Sequence, residues 1–216
     1  MKAVHIRQQM DRFLEASTRM HKHLCPRQVL GVRMGMFASS LLQIALPQAD
    51  KRLLTIVETD GCFADGISVA TGCWMGRRTM RMEDYGKIAA TFVDTHLGYA
   101  FRIAPGQDIR IIAGEYTTGG MDSWHTQLVG YQKMPSENLF TWQEVELVTP
   151  IAKMIGVPGV RTICERCGEE IINQREVSLN GFIYCRACTG QVYYSSVSGQ
   201  TCRLEHQIIT EERIGQ

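Results

Sequence analysis

A chain of 216 residues, 44% hydrophobic and 21% charged, holds the material for one core of ordinary size plus a small extra module, which excludes a miniprotein held by staples alone. Its 23 basic and 22 acidic residues leave a formal charge of +1, which excludes a global field for nucleic acid or an anionic membrane. The opening MKAVHIRQQMDRF lacks the apolar stretch of a secretory signal, and no segment approaches the ~20 apolar residues of a membrane span, so the chain reads as soluble and cytoplasmic. Two unequal domains are expected.

In chain order, Met10, Phe13, Leu14 and Met20 recur at helical spacing and predict an amphipathic helix over residues 8–23. Pro26 turns Cys25 away from the α region, and Val29, Leu30, Met34, Phe37, Ala38, Leu41, Leu42 and Ala45 then mark a long second helix with Pro26 in its first turn. Gly31 and Gly35 share one face of it, as close packing against another backbone requires. Residues 53–58 (LLTIVE) predict a buried strand before the turn Thr59-Asp60-Gly61, and residues 62–74 a brief helix. Residues 79–82, 89–93 and 99–103 alternate like strands of a mostly antiparallel sheet. Residues 104–120 carry no clear period, 121–134 read as helix, 141–148 as strand, and 150–158 as the link between domains. The expected fold class is α+β, a mixed or antiparallel sheet packed with helices and followed by a small four-cysteine zinc ribbon. The divisions are a core over 1–158, the ribbon over 159–193 and a tail over 194–216.

The ribbon rests on Cys164-x2-Cys167, seventeen intervening residues, and Cys185-x2-Cys188. Two such turns bring four thiolates to one ion at ~2.3 Å, and zinc accepts that tetrahedron without electronic preference. Gly168 and Gly190 follow the two knuckles, and Asn180-Gly181 sits between short strand-like runs as a hairpin turn. A module this small draws much of its folding free energy from the metal, and a closed shell makes the ion structural. Paired redox dithiols or an iron site are the alternative for the same four residues. CERCGEEI and YCRACTG also resemble the four-cysteine finger of the DksA/TraR type, although the long acidic-tipped coiled coil of that family is missing.

The second unusual feature is His21-Lys22-His23-Leu24-Cys25-Pro26. An extended exit from the first helix, favoured by Pro26, puts His21, His23 and Cys25 on one side, with Cys62, Asp60 or Cys73 as further groups. Three roles compete. The cluster is a transition-metal site with an open position, or Cys25 is a nucleophilic or redox thiolate at a helix N-terminus, or the segment is a polar loop and a capped helix. Elsewhere, His96 and His125 read as structural or solvent-facing, Trp74, Trp124 and Trp142 as core or interface, and Cys202 with His206 as a candidate metal pair or a free thiol.

HKHLCPRQVLGVRMG followed by ETDGCFADGISVATGCWMGRRTMRMEDYGKIAATF resembles the FmdE/FwdE family of formylmethanofuran dehydrogenase, whose pattern runs roughly HGHLCPG-x-x-LG, then DGC, TGC and DYGK. The resemblance covers about residues 10–95 and implies an α+β core, often with a zinc finger behind it, and a tightly associated homodimer. It places His21, His23, Cys25 and Cys62 in the family's metal or active-site cleft, with Cys73, Asp84 and Lys87 nearby. It further implies an accessory or redox-related role beside a molybdenum or tungsten enzyme. Cys25 and Cys62 are then the candidate catalytic residues, and His21, His23 and Cys25 the candidate ligands of a second transition metal. Lys22 and Arg27 stand where the family has glycines and add positive charge. A regulatory or scaffolding protein, its ribbon binding protein or nucleic acid, is the reading from a different class.

Overall fold

The computed structural model describes residues 2–195 and divides at residues 155 and 156 into two compact units. Cys202 and His206 lie outside the described residues. No described helix is long and apolar enough to cross a membrane.

The first unit opens with α1 (Lys2–His21), which ends where Lys22 turns left-handed at φ 61°. Then α2 (Pro26–Leu42) starts on the proline, which loses no hydrogen bond at that position. The chain continues through β1 (Leu53–Val57), α3 (Cys62–Thr71), β2 (Met80–Met82), β3 (Ala90–Asp94) and β4 (Ala100–Pro105). The stretch without a clear period, residues 104–120, holds α4 (Ile109–Ile112) and a 3-10 turn over Ala113–Tyr116. After it come α5 (Ser123–Lys133), α6 (Ser136–Leu139), β5 (Phe140–Glu144) and α7 (Ile151–Ile155).

The five strands lie in the order β2-β1-β3-β4-β5, with β2 parallel to β1 and every other pairing antiparallel, so the sheet is mixed. The strand period of two sorts its side chains. Leu53, Val57, Ala90, Phe92 and Ile103 join the main core with Val29, Val32, Met34, Phe63 and Ile67 of the helices. Leu54, Ile56, Val93 and Ala100 point to the other face, where Val145, Leu147, Ile151, Met154 and Ile155 cover them. All of β1 is buried because both its faces are covered. Residues 151–155, expected to link domains, are thus a helix that seals the sheet. Arg102 of β4 reaches over β3 to donate two hydrogen bonds to the buried Glu58 carboxylate, at 2.6 and 2.7 Å, bracing three strands together.

The helix pair α2 and α3 positions the cleft. A Cβ on Gly31 would meet the carbonyl oxygen of Phe63 at 2.2 Å, and one on Gly66 the carbonyl oxygen of Gln28 at 2.5 Å, so the two backbones touch. Gly35 in turn faces Ala70 and Thr71, so the helices run in the same direction and their first turns sit side by side.

The second unit is a pair of antiparallel hairpins, β6 (Arg161–Ile163) with β7 (Glu170–Ile172), and β8 (Val177–Leu179) with β9 (Phe182–Tyr184). Asn180 and Gly181 have φ of 52° and 84°, the left-handed pair that a type I′ turn demands.

Candidate metal centre and cleft

In the second unit one ligand atom from each of Cys164, Cys167, Cys185 and Cys188 lies within 4.8 Å of the other three. Sulfurs bound at ~2.3 Å in a tetrahedron stand about 3.8 Å apart, and the Cys167 and Cys185 sulfurs are separated by 3.9 Å. The residues therefore fit a four-coordinate ion. The knuckles shape this locally: Gly168 at φ 76° donates to the Cys164 carbonyl at 2.8 Å, and Gly190 turns left-handed at φ 94° behind Cys188. The Cys185 N–H donates to the Cys164 sulfur at 3.2 Å, and the Cys188 N–H to the Cys185 sulfur at 3.4 Å. The N–H of Cys167 and neighbouring backbone donors pull the Cys164 thiol down to about 6. Desolvation and the other three sulfurs push Cys188 up to about 12. Four thiols this close cannot ionise together unless a cation shares their charge.

In the first unit a cleft of about 670 Å³ opens beside the first turns of α2 and α3. Cys25, Arg27 and Cys62 line it with Arg110, Trp124 and Tyr131. Cys25 caps α2: its sulfur accepts the Gln28 N–H at 3.4 Å, while the Gln28 side-chain oxygen accepts the Cys25 N–H at 2.7 Å. Gln28 is held in turn by Ser17 of α1, its amide donating to the carbonyl and hydroxyl oxygens, both at 2.9 Å. Cys62 opens α3 within hydrogen-bonding reach of the Cys25 thiol, and desolvation, then Cys25 itself, push the Cys62 thiol up. His21 Nδ1 stands 3.9 Å from the Cys62 sulfur, and His21 Nε2 lies 2.5 Å from the Asp65 carboxylate. With the Nε2 proton on the carboxylate side, Nδ1 is left as the acceptor facing the thiol.

The structure regroups the residues expected from sequence. His21 is the last residue of α1 rather than the start of an extended run, and Lys22 breaks the alternation, so His23 is exposed with its ring centroid 6.2 Å from that of His21. His21, His23 and Cys25 therefore do not gather as one tight ligand set. Among the described residues the four ribbon cysteines form the group of three or more His, Cys, Asp or Glu drawn within 4.8 Å. His21 and Cys62 are spaced as two ligands of one ion would be, without a third inside that limit.

Cys73 is buried beyond the far end of α3, its thiol donating to the Leu53 carbonyl at 3.3 Å. Asp60 is exposed, and Asp84 accepts the Gly86 N–H at 3.1 Å in an exposed turn. His125, read as isolated, pairs with Asp122 at 2.7 Å, and Trp124 faces the cleft. Sequence reasoning missed Asp65 and Gln28. Each stands three residues after a cysteine, one helical turn away, which is the signal that finds them.

A family model described as "FmdE, Molybdenum formylmethanofuran dehydrogenase operon" matches residues 20–147. A "probable S-adenosyl-L-methionine-binding protein" of Archaeoglobus fulgidus is 38% identical over 87 residues, which are 39% of this chain and 24% of that protein. The match thus spans about a quarter of the length of that curated relative. Among solved structures, an FmdE-like protein of tungsten formylmethanofuran dehydrogenase type from Syntrophus aciditrophicus aligns with a TM-score of 0.51 at 18% identity, covering 86% of this chain and 95% of that one. That likeness concerns the fold.

Proposed function

From the premise that this chain belongs to the FmdE family, we propose that it is a metal-binding accessory protein with a thiol-based, redox-related cleft and a structural zinc ion in its ribbon. The observation that carries the reading is the row Asp65, His21, Cys62, Cys25 at the heads of two parallel helices. A carboxylate orients an imidazole, the imidazole faces a thiol, and a second thiol stands behind it, which is the order of orienting group, base and nucleophile. Both helix N-termini contribute positive potential there, and Arg27 and Arg110 add to it without a lining carboxylate, so the cleft suits an anionic substrate.

The residues that would hold zinc are Cys164, Cys167, Cys185 and Cys188, and the ion would supply folding free energy rather than chemistry. A cleft ion would start from His21 and Cys62. On the same family ground we place the protein as a cytoplasmic homodimer working beside a molybdenum or tungsten enzyme.

Metal analysis and alkylation mapped by mass spectrometry test the reading together. Wild type is expected to carry one zinc per chain, lost in Cys164→Ser and kept in Cys62→Ser. Cys62 is expected to react with iodoacetamide at least tenfold more slowly in His21→Gln or Asp65→Asn, since a positioned base contributes about 10²-fold or more. Equal rates in all three proteins would remove the base from the scheme, and a chain free of zinc after purification would remove the ribbon ion.

One further observation favours the scaffolding alternative. Leu179 and Phe182 are each 52% exposed and, with Tyr184, Glu165 and Arg166, line a groove on the ribbon. A partner protein docked there would be retained by Cys62→Ser and released by Phe182→Asp.

A further inference from the structure

A second cavity of about 650 Å³ lies among α1, α2 and α5 and shares no lining residue with the cysteine cleft. Its wall has two characters. Ile6, Met10, Met36, Phe37, Leu46 and Met134 supply apolar surface, whereas the charged groups are Arg7, Arg33 and Lys133, three cations without a lining carboxylate.

Arg33 is the informative one. It projects from α2 and is only 9% exposed, yet among the described residues it is in no ion pair. Its guanidinium donates to the carbonyls of Tyr131 and Met134, at 2.7 and 2.6 Å, and to the Ser136 hydroxyl at 3.2 Å. These neutral acceptors fix its position without pairing its charge. Desolvation, then Arg7, lower its pKa to about 10 against the weaker pull of Glu137, so it stays charged at neutral pH. Arg7 is half exposed and already shares Asp11 at 3.0 Å, and Lys133 is exposed, so both are supporting charges. A buried cation without a paired counter-charge is costly for a fold to keep. An anion seated in the cavity would offset that cost, and the volume falls in the range of small-molecule sites.

We infer that this cavity is a binding site for an amphipathic anion, a carboxylate on an aliphatic body, whose charged group meets Arg33, Arg7 and Lys133 while its chain lies on the methionine and phenylalanine wall. Octanoate has this chemistry, octanol has the body without the charge, and inorganic phosphate has the charge without the body.

Ligand-observed NMR titration of the full chain with each of the three tests the inference. Octanoate is expected to bind saturably at one site, with a Kd on the order of 1 mM or tighter, and at least tenfold more tightly than octanol or phosphate. The double variant Arg7→Gln/Lys133→Gln, altered on the surface and checked for folding by circular dichroism, is expected to lose at least tenfold in affinity. A Cys25→Ser/Cys62→Ser variant is expected to bind octanoate as wild type does, which separates this site from the cleft. Absence of saturable octanoate binding, octanol or phosphate binding as tightly, or unchanged affinity in the folded double variant would each overturn the inference.

Discussion

Lys22 carries the tension of this site at the scale of one residue. It holds φ at 61°, a conformation costing an L-residue about 1–2 kcal/mol relative to the right-handed region. The family pattern has glycine there, which pays nothing for the turn but gives up about 0.4–1 kcal/mol through its freer unfolded chain. Lys22→Gly is therefore expected to stabilise the fold by up to about 1 kcal/mol, read from urea melts, with zinc content unchanged. What lysine adds instead is a positive charge beside His21 and His23. The same turn explains a limit of sequence reading. Alternation of His21, His23 and Cys25 argues for one face only if the backbone is extended throughout, and a helical His21 followed by one left-handed residue breaks that condition. The four ribbon cysteines were legible because C-x-x-C is a local device whose geometry travels with its spacing. Arg110 and Trp124 reach the cleft through tertiary packing, which no local pattern encodes.

At the scale of elements, the α2 and α3 contact is the joint on which the cleft depends. Gly31 and Gly66 let the backbones meet, and the parallel course that results sets Cys25 beside Cys62. Gly31→Ala would drive a methyl group into the carbonyl of Phe63, and backbone cannot swing aside as a side chain does. Destabilisation of about 1–3 kcal/mol or more is expected from overpacking. Oxidative pairing of Cys25 with Cys62 by a mild thiol oxidant should slow as the helix heads part, which gel shift after maleimide labelling measures. The small-residue face was readable in the sequence, and its packing role is what the structure bears out. Helix and strand identities were readable where Pro26, Asn180-Gly181 or a full apolar period marked them. The short α4 and α7 were not, because one turn of helix has too few residues to display a period.

At the scale of the whole molecule, two compact units draw on different sources of stability. The first buries a continuous apolar core, while β6 to β9 bury little beyond Cys164 and Ile171. Chelation at neutral pH is expected to unfold the ribbon while leaving the core's circular dichroism and melting transition intact, and zinc is expected to restore the lost signal. A single transition abolished by chelator would contradict that division.

The short helix at Ile151–Ile155 also decides where the chain can be cut. Proteolysis or truncation ahead of Pro150 would strip Leu54, Ile56, Val93 and Ala100 of much of their cover and bare an oily back to the solvent, inviting self-association. Severing just after Ile155 would leave that surface thatched, so the boundary a protease can exploit without ruin falls at the helix's end.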